Sequence, residues 1–205
     1  MCRADCLRDN RFMFLLTKPS QTKIDNFIVA QSNLNFSYPE VGETKTRAAP
    51  EGYPINQLRE RLGEGKQIFT KAVAALRSWQ MYATGWTELH PPNASVENGA
   101  VVVMLVNHLG FWSLNPCRIV YASEEETARF CKNSFAIGTL PAHSETGEER
   151  FAIEWNKQTN AVYYELYAFA RAQNWMAKIG FPFVPLFQKR FAADSFKAMS
   201  AAVSK

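Results

Sequence analysis

The segment from Gly85 to Arg171 is divided into short stretches rich in β-branched and aromatic residues, and turn-forming pairs such as Pro-Pro, Asn-Gly, Asn-Pro and Thr-Gly separate them. The stretches read GWTEL, AVVVMLVNHL, CRIVYAS, RFCKNSFAIGTL, EERFAIEW and AVYYELYAFA. Six strands in about ninety residues leave no room for the helices that connect parallel strands. The pattern therefore predicts an antiparallel meander.

Elements on both sides of this meander complete the predicted fold. Before it, Ser20 can cap a helix over residues 19–31, and weak alternation over residues 53–63 indicates a seventh strand. An apolar stripe over residues 66–82 predicts a second helix. After the meander, a break containing glycine and proline precedes a long C-terminal helix. The fold class is therefore α+β.

An antiparallel sheet has to bury one face, and the long C-terminal helix is the predicted element that can lie across it. The outline is a curved antiparallel sheet of about seven strands packed on that helix, with a short extra helix near the N-terminus. This topology resembles the helix-grip fold of the START and birch-pollen-allergen superfamily. The resemblance implies an apolar cavity between sheet and helix, and a shared fold says little about function.

Composition and motifs exclude several functional classes. Of the 205 residues 47% are hydrophobic, enough to bury a full core in one domain. The 23 basic and 19 acidic residues are spread along the chain, whereas nucleic-acid-binding proteins concentrate basic residues on one face, so no nucleic-acid partner is expected. The 4 cysteines form no Cys-x-x-Cys zinc pattern, and no phosphate-binding or hydrolase motif is present. We expect no metal, no cofactor and a cytoplasmic location.

Several segments also resemble one family in sequence. They are FLLTKPSQTKIDNFIVAQSNLNFSYPEVGET, RLGEGKQIFTKAVAALRSW, GWTEL, LGFWSLNPCRIVYA, GTLPAHSETGEERFAIEW and FARAQNWMAKIGFPFVPLFQKRFAADSFKAM. In this order they are similar to the bacterial and plant family known as domain of unknown function nineteen-ninety, from Phe12 to the C-terminus. The resemblance implies a shared fold and no assigned activity. It also predicts a single domain over residues 13–205, with Met13 as the native start and residues 1–12 as a disordered leader.

Two stretches depart from the family pattern. Residues 135–143 read FAIGTLPAH where the family usually has FGYGTLPGH, and residues 169–172 read FARA where it has FSRP. No role that requires the missing tyrosine or serine hydroxyl is therefore expected in this chain.

The stretch GTLPAHSETGEERFAIEW (138–155) contains the candidate catalytic residues. Strand alternation places Glu149 on one face with three large apolar side chains, where a carboxylate needs a raised pKa or a partner such as His143. Glu149 is then a candidate acid or ligand anchor. The alternative, which the usual exposure of strand ends favours, is that Glu149 is solvated and caps a turn. The opposite face, with Glu148, Arg150, Ala152 and Glu154, is expected to be solvated.

Two further polar residues lie on predicted strands. Glu165 shares its face with Tyr163, Tyr167 and Phe169, and we expect it to face solvent or to pair with an arginine of a neighbouring strand. His108 lies on an apolar strand face, where a hydrogen-bonded core histidine is commoner than a ligand.

Three hypotheses for function remain. The first is binding or carriage of a hydrophobic small molecule or lipid in a cavity of at least about 300 Å³. Its candidate walls are Trp79, Trp112, Phe151, Trp155 and Tyr164. The second is an enzyme on the same scaffold that uses Glu149 and His143 as an acid and base pair.

The third hypothesis is a peripheral membrane protein. The segment WMAKIGFPFVPLFQKRF (175–191) joins aromatic residues to Lys178, Lys189 and Arg190, a composition that suits an anionic membrane surface. Core packing of the C-terminal helix is the favoured interpretation of this segment, because a helix with one apolar stripe usually closes its own domain.

Overall fold

A computed structural model of the chain describes residues 13–173 and 184–204. The predicted leader (1–12) and the break before the C-terminal helix lie outside the described residues. Short 3-10 turns occur at Glu43–Lys45 and Gln80–Tyr82. In chain order the elements are β1 (Met13–Leu15), α1 (Gln21–Gln31), β2 (Ile55–Glu64), α2 (Gly65–Arg77), β3 (Thr87–His90), β4 (Val101–His108), β5 (Phe111–Glu126), β6 (Phe130–Thr139), β7 (Glu145–Asn156), β8 (Ala161–Ala172) and α3 (Val184–Ser204).

The strands form one antiparallel sheet in the order β2-β8-β7-β6-β5-β4-β3, and β1 pairs with β5. Strands β3 to β8 are neighbours in both sequence and space, so the predicted meander is confirmed. Helices α2 and α3 pack on one face of the sheet and share its main hydrophobic core. This arrangement is the predicted α+β helix-grip fold. Among the described residues, no helix is long and apolar enough to cross a membrane.

The opposite face of the sheet carries α1 and the loop that follows it. Ile24 and Phe27 of α1 pack on Val103, Leu105 and Leu114, which alternate along β4 and β5 with residues of the main core. The predicted capping of α1 is confirmed, since the Ser20 side chain accepts a hydrogen bond from the backbone N–H of Lys23 at 3.4 Å.

The first strand and the end of the second helix differ from the expectation. Strand β1 makes an eighth strand, and its three residues are too few for alternation to reveal it. Helix α2 ends at Arg77 rather than Tyr82, because Trp79 takes a left-handed conformation with φ of 60°.

The expectation of a solvated face on β7 is wrong. Glu148 is 1% exposed, Arg150 5% and Ala152 is fully buried, while Glu154 is half-buried. Residues 36–48 fold across this face and supply hydrogen-bond donors to Glu148. A methyl group on Gly138 would overlap the Tyr38 hydroxyl, so the glycine permits the loop to lie this close.

Candidate functional site

A cavity of about 180 Å³ lies between the sheet and the first turns of α3. Strands β2 to β8 all contribute to its lining, together with the 3-10 turn at Gln80–Tyr82. Its volume is below the roughly 300 Å³ at the lower end of ligand sites, so the cavity is smaller than expected from the sequence.

One wall of the cavity is apolar and aromatic. The sheet contributes Met104, Val106, Ile137 and Ala168, and Tyr82, Trp86, Phe187 and Phe191 surround them. The ring centroids of Tyr82 and Phe191 are 5.2 Å apart, and those of Trp86 and Phe187 are 6.2 Å apart. These contacts hold α3 against the sheet and make this wall of the cavity apolar.

Two carboxyl groups from β7 form part of the polar wall. Burial raises the pKa of Glu145 to about 7, although Gln188 of α3 donates a hydrogen bond to it. Burial, followed by the charge of Glu145, raises the pKa of Glu149 to about 8. Glu149 keeps some accessible surface, and it is one of the residues that line the cavity. Neither carboxyl forms an ion pair with any side chain in the described ranges.

Two histidines also line the cavity. The backbone N–H of Glu145 donates to His143 Nδ1 at 2.9 Å, and burial lowers the pKa of His143 to about 4. His108 Nε2 lies 2.8 Å from Ser113 Oγ, and burial lowers the pKa of His108 to about 4 as well. Both imidazoles are therefore neutral at pH 7.

A chain of hydrogen bonds fixes the strands around these histidines. Asn115 Nδ2 donates to Ser113 Oγ at 2.8 Å, and Ser144 Oγ donates to Asn115 Oδ1 at 2.8 Å. Together with the contact between His108 and Ser113, these hydrogen bonds connect β4, β5 and the turn before β7. The position of the polar wall is therefore held by the sheet itself.

The two candidate catalytic residues both line the cavity. Glu149 lies inside β7, four residues after its first residue, so it is not at an exposed strand end. No hydrogen bond joins Glu149 to His143 among the described side chains. The structure therefore brings the pair into one cavity without direct contact.

The five candidate wall residues lie outside the lining of this cavity. Trp79 packs on Phe135 with ring centroids 4.9 Å apart, and Phe151 is fully buried in the same core. The Tyr164 hydroxyl donates to Ser195 Oγ at 3.2 Å under α3. Trp155 contacts Phe69 of α2, and Trp112 packs beside α1 on the other face of the sheet. Four of the five, Trp79, Phe151, Trp155 and Tyr164, pack in the core between the sheet and helices α2 and α3. Alternation predicts the face on which a strand residue lies, but it does not predict which part of that face the helices leave uncovered.

Several cavity residues were not identified from the sequence. Glu145 follows the same alternation as Glu149, and extending the predicted strand to its true start would have revealed it. Asn115 and Trp86 carry no comparable signal. Of the segment considered for membrane binding, residues 175–183 lie outside the described residues, and Lys189 and Arg190 are exposed on α3.

Glu165 lies on the opposite face of the sheet and is 1% exposed. Its carboxylate contacts Arg47 at 2.6 Å, Arg150 at 3.2 Å and Lys132 at 3.4 Å, and it also pairs with Arg59. Pairing with an arginine of a neighbouring strand is thus confirmed, and exposure to solvent is wrong. Residues of the loop after α1 again cover this position.

Comparison with known proteins identifies relatives over most of the chain. A family model described as "Domain of unknown function (DUF1990)" matches residues 37–198. The UPF0548 protein of Dictyostelium discoideum is 33% identical over 208 residues, which cover 93% of this chain and 96% of that protein. The UPF0548 protein of Deinococcus radiodurans is 33% identical over 191 residues, covering 88% and 93%.

Solved structures resemble the chain more distantly. The crystal structure of Ara h 8.0201 has a TM-score of 0.48 at 11% identity and covers 74% of this chain and 98% of that one. Norcoclaurine synthase from Thalictrum flavum has a TM-score of 0.42 at 10% identity, covering 75% and 96%. Similarity at this level says nothing about what the chain binds.

Proposed function

This chain belongs to the family described as domain of unknown function (DUF1990), and we propose that it binds a compact, partly hydrophobic small molecule in the cavity between its sheet and α3. The observation that carries the proposal is one cavity with an aromatic wall and a polar wall built from Glu145, Glu149 and two neutral histidines.

The composition of the lining supports a small ligand with both apolar and polar parts. Met104, Val106 and Phe191 offer apolar surface, whose burial against a ligand is favourable by about 25 cal/mol per Å². A few polar groups placed in a largely apolar pocket are the usual means of orienting a bound molecule. The carboxyl of Glu149 has no hydrogen-bond partner among the described residues and is available for that role.

A cavity-filling variant tests the proposal. We expect neutral aromatic compounds, from 2-phenylethanol to naphthalene, to shift the amide NMR signals of cavity residues such as Met104 and Ala168. In Val106→Phe the added ring occupies the cavity and should abolish these shifts. Val29→Phe is the matched control, because Val29 is exposed on α1.

The thermal unfolding of each variant shows whether it is folded. Binding by Val29→Phe and none by folded Val106→Phe would support the proposal. Equal binding by Val106→Phe, or no binding by the wild type to any compound in the series, would overturn it.

Acid-base catalysis in the same cavity is a second candidate, favoured by the shared location of Glu149 and His143. At neutral pH Glu149 holds a proton that it can donate, and neutral His143 can accept one only when its Nδ1 gives up the backbone N–H of Glu145. If a retained molecule is turned over, Glu149→Gln should bind it and fail to convert it. Undiminished conversion by this variant would exclude Glu149 as the acid.

A further inference from the structure

We propose that the molecule bound in this cavity carries a protonated amine, held by the carboxylates of Glu149 and Glu145. This inference rests on the proposed function, since it names the ligand chemistry of the same cavity.

The carboxyl groups of Glu145 and Glu149 lie close to one region of the cavity. They come from the same strand and line the same cavity. After burial itself, the charges of Glu149 and then Glu145 raise the pKa of the Cys117 thiol on β5, so both lie within electrostatic reach of one buried point. A cationic group placed in the cavity therefore experiences the charge of both carboxylates.

No described side chain of the cavity supplies the opposite charge. Its titratable members besides the glutamates are Tyr82, His108, Cys117 and His143, and Tyr164 lies close to Glu149. Burial keeps both histidines neutral at pH 7, and it raises the pKa of the tyrosines and the thiol. Helix α3 contributes Phe187, Gln188 and Phe191 to the lining, none of which titrates.

The two basic residues that follow Gln188 on α3, Lys189 and Arg190, are both exposed, and Arg190 is engaged elsewhere. Arg190 lies over the Trp86 ring, 4.8 Å from its centroid, and its Nε is 3.5 Å from Asp194. Its side chain is 46% exposed, so it faces the surface rather than the polar wall.

The protein treats its other buried carboxylates differently. Glu165 is surrounded by three arginines and a lysine. Glu148 accepts hydrogen bonds from the Tyr38 hydroxyl, from the backbone of Gly42 and from Thr44. Glu149 has neither kind of partner among the described residues and borders open volume instead. An uncompensated buried carboxyl is costly when ionised, and a ligand cation removes that cost.

The aromatic wall suits the same ligand class. Trp86, Phe187 and Phe191 lie beside the polar wall, where a ring can receive an aryl or alkyl body and its face can attract an ammonium group. A cavity of about 180 Å³ matches a compact arylalkyl amine rather than a polyamine or a long-chain base.

Isothermal titration calorimetry with 2-phenylethylamine and its neutral isostere 2-phenylethanol tests the inference. At pH 7 we expect the amine to bind at least about tenfold more tightly, because its ammonium group forms charged hydrogen bonds with the carboxylates that the alcohol cannot form. At pH 7 Glu149 is mostly protonated and Glu145 is about half protonated before binding, so amine binding should release between about one and about one and a half protons per ligand. Buffers of different ionisation enthalpy measure this release, and the alcohol should release none.

Substitution of the carboxyl separates charge from shape. In Glu149→Gln the preference for the amine should fall at least about threefold and the proton release should fall to what Glu145 alone supplies, about half a proton or less, while the affinity for the alcohol stays within about threefold of wild type. Glu60→Gln, at an exposed position on β2, should retain the wild-type preference.

The outcomes distinguish the two proposals. Binding of the alcohol with no preference for the amine would overturn the inference and leave the proposed function standing. A preference for the amine that persists in both Glu149→Gln and Glu145→Gln would also overturn it. Failure of both compounds to bind, together with the neutral aromatic series, would remove the proposed function and this inference with it.

Discussion

The hydroxyl of Tyr38 donates a hydrogen bond to Glu148 Oε2 at 2.7 Å, which joins the loop after α1 to the middle of the sheet. The same oxygen accepts the backbone N–H of Gly42 at 2.7 Å, and Glu148 Oε1 accepts the backbone N–H of Thr44 at 3.1 Å. Burial, with a further contribution from Glu148, raises the pKa of Tyr38 far above its ordinary value. This buried carboxylate is therefore one of the points at which the loop is attached to the sheet.

Tyr38→Phe should weaken that attachment. The substitution removes one donor from a buried carboxylate, so we expect the free energy of unfolding to fall by about 1–3 kcal/mol. Urea denaturation measures the change. Tyr163→Phe is the control, because the half-buried Tyr163 packs under Arg59 and its hydroxyl has no hydrogen bond among the described residues. Equal stability of the two variants would contradict the assigned role of Tyr38.

Glu165→Gln should be the most destabilising of the substitutions considered. It leaves the buried Arg150 and the half-buried Lys132 without their shared anion, and breaking one side of a buried ion pair costs about 3–5 kcal/mol. The partly exposed Arg47 and Arg59 will add less, because solvent screens them. Guanidinium denaturation, with Glu60→Gln as the exposed control, checks this. A loss no greater than in the control would mean that the cluster does not stabilise the fold.

Glu149→Gln should change how stability depends on pH. The pKa of Glu149 is raised from 4.5 to about 8, so the folded protein retains a proton that the unfolded chain releases at lower pH. The stability associated with the protonated carboxyl is fully present below about pH 4.5 and is lost as the pH rises to about 8. The free energy of unfolding of the glutamine variant, minus that of wild type, should therefore increase as the pH rises from about 4.5 to about 8. Above about pH 8 this difference should stay constant.

Urea titrations from about pH 5 to about pH 9 measure this difference directly. His143 has a pKa lowered to about 4, so its contribution is lost as the pH falls from 6.5 towards 4 in both proteins, and it cancels in the comparison. A difference between variant and wild type that does not change with pH would show that Glu149 titrates normally.

Leu109→Asn should stabilise the hairpin between β4 and β5. Leu109 has a φ of 56° and is 89% exposed, and asparagine is much better suited than leucine to the left-handed conformation in such turns. We expect a gain of about 0.5–1 kcal/mol, seen as a higher melting temperature. Leu16→Asn removes another exposed leucine without a positive φ and should give no gain. Equal effects would indicate that exposure, rather than backbone strain, determines the result.

The sheet was predictable because its signal is local. Alternation and turn residues are read within a few positions, and they located all six meander strands, β2 and the Ser20 cap. The cover over Glu148 and Arg150 was not predictable in this way. Residues 36–48 have no periodicity, and their position depends on hydrogen bonds to residues about a hundred positions away.

The candidate site was predictable only in part for a related reason. Alternation placed Glu149 on the correct face of β7, and the sequence also predicted that the C-terminal helix would cover that face. Which part of the face α2 and α3 fill depends on three-dimensional packing. Trp79 and Phe151 therefore became core residues, while the polar end near Glu145 and His143 stayed open.

Native mass spectrometry of the protein isolated from its own cells, followed by organic extraction, tests the central claim most directly. Binding of a compact molecule in the cavity predicts a stoichiometric adduct of low mass on the wild type and on Val29→Phe, and its loss from folded Val106→Phe. An adduct retained equally by all three proteins would contradict the cavity as the binding site. A wild-type protein that is isolated empty and also takes up none of the neutral aromatic compounds or 2-phenylethylamine would contradict the claim that it binds a small molecule there.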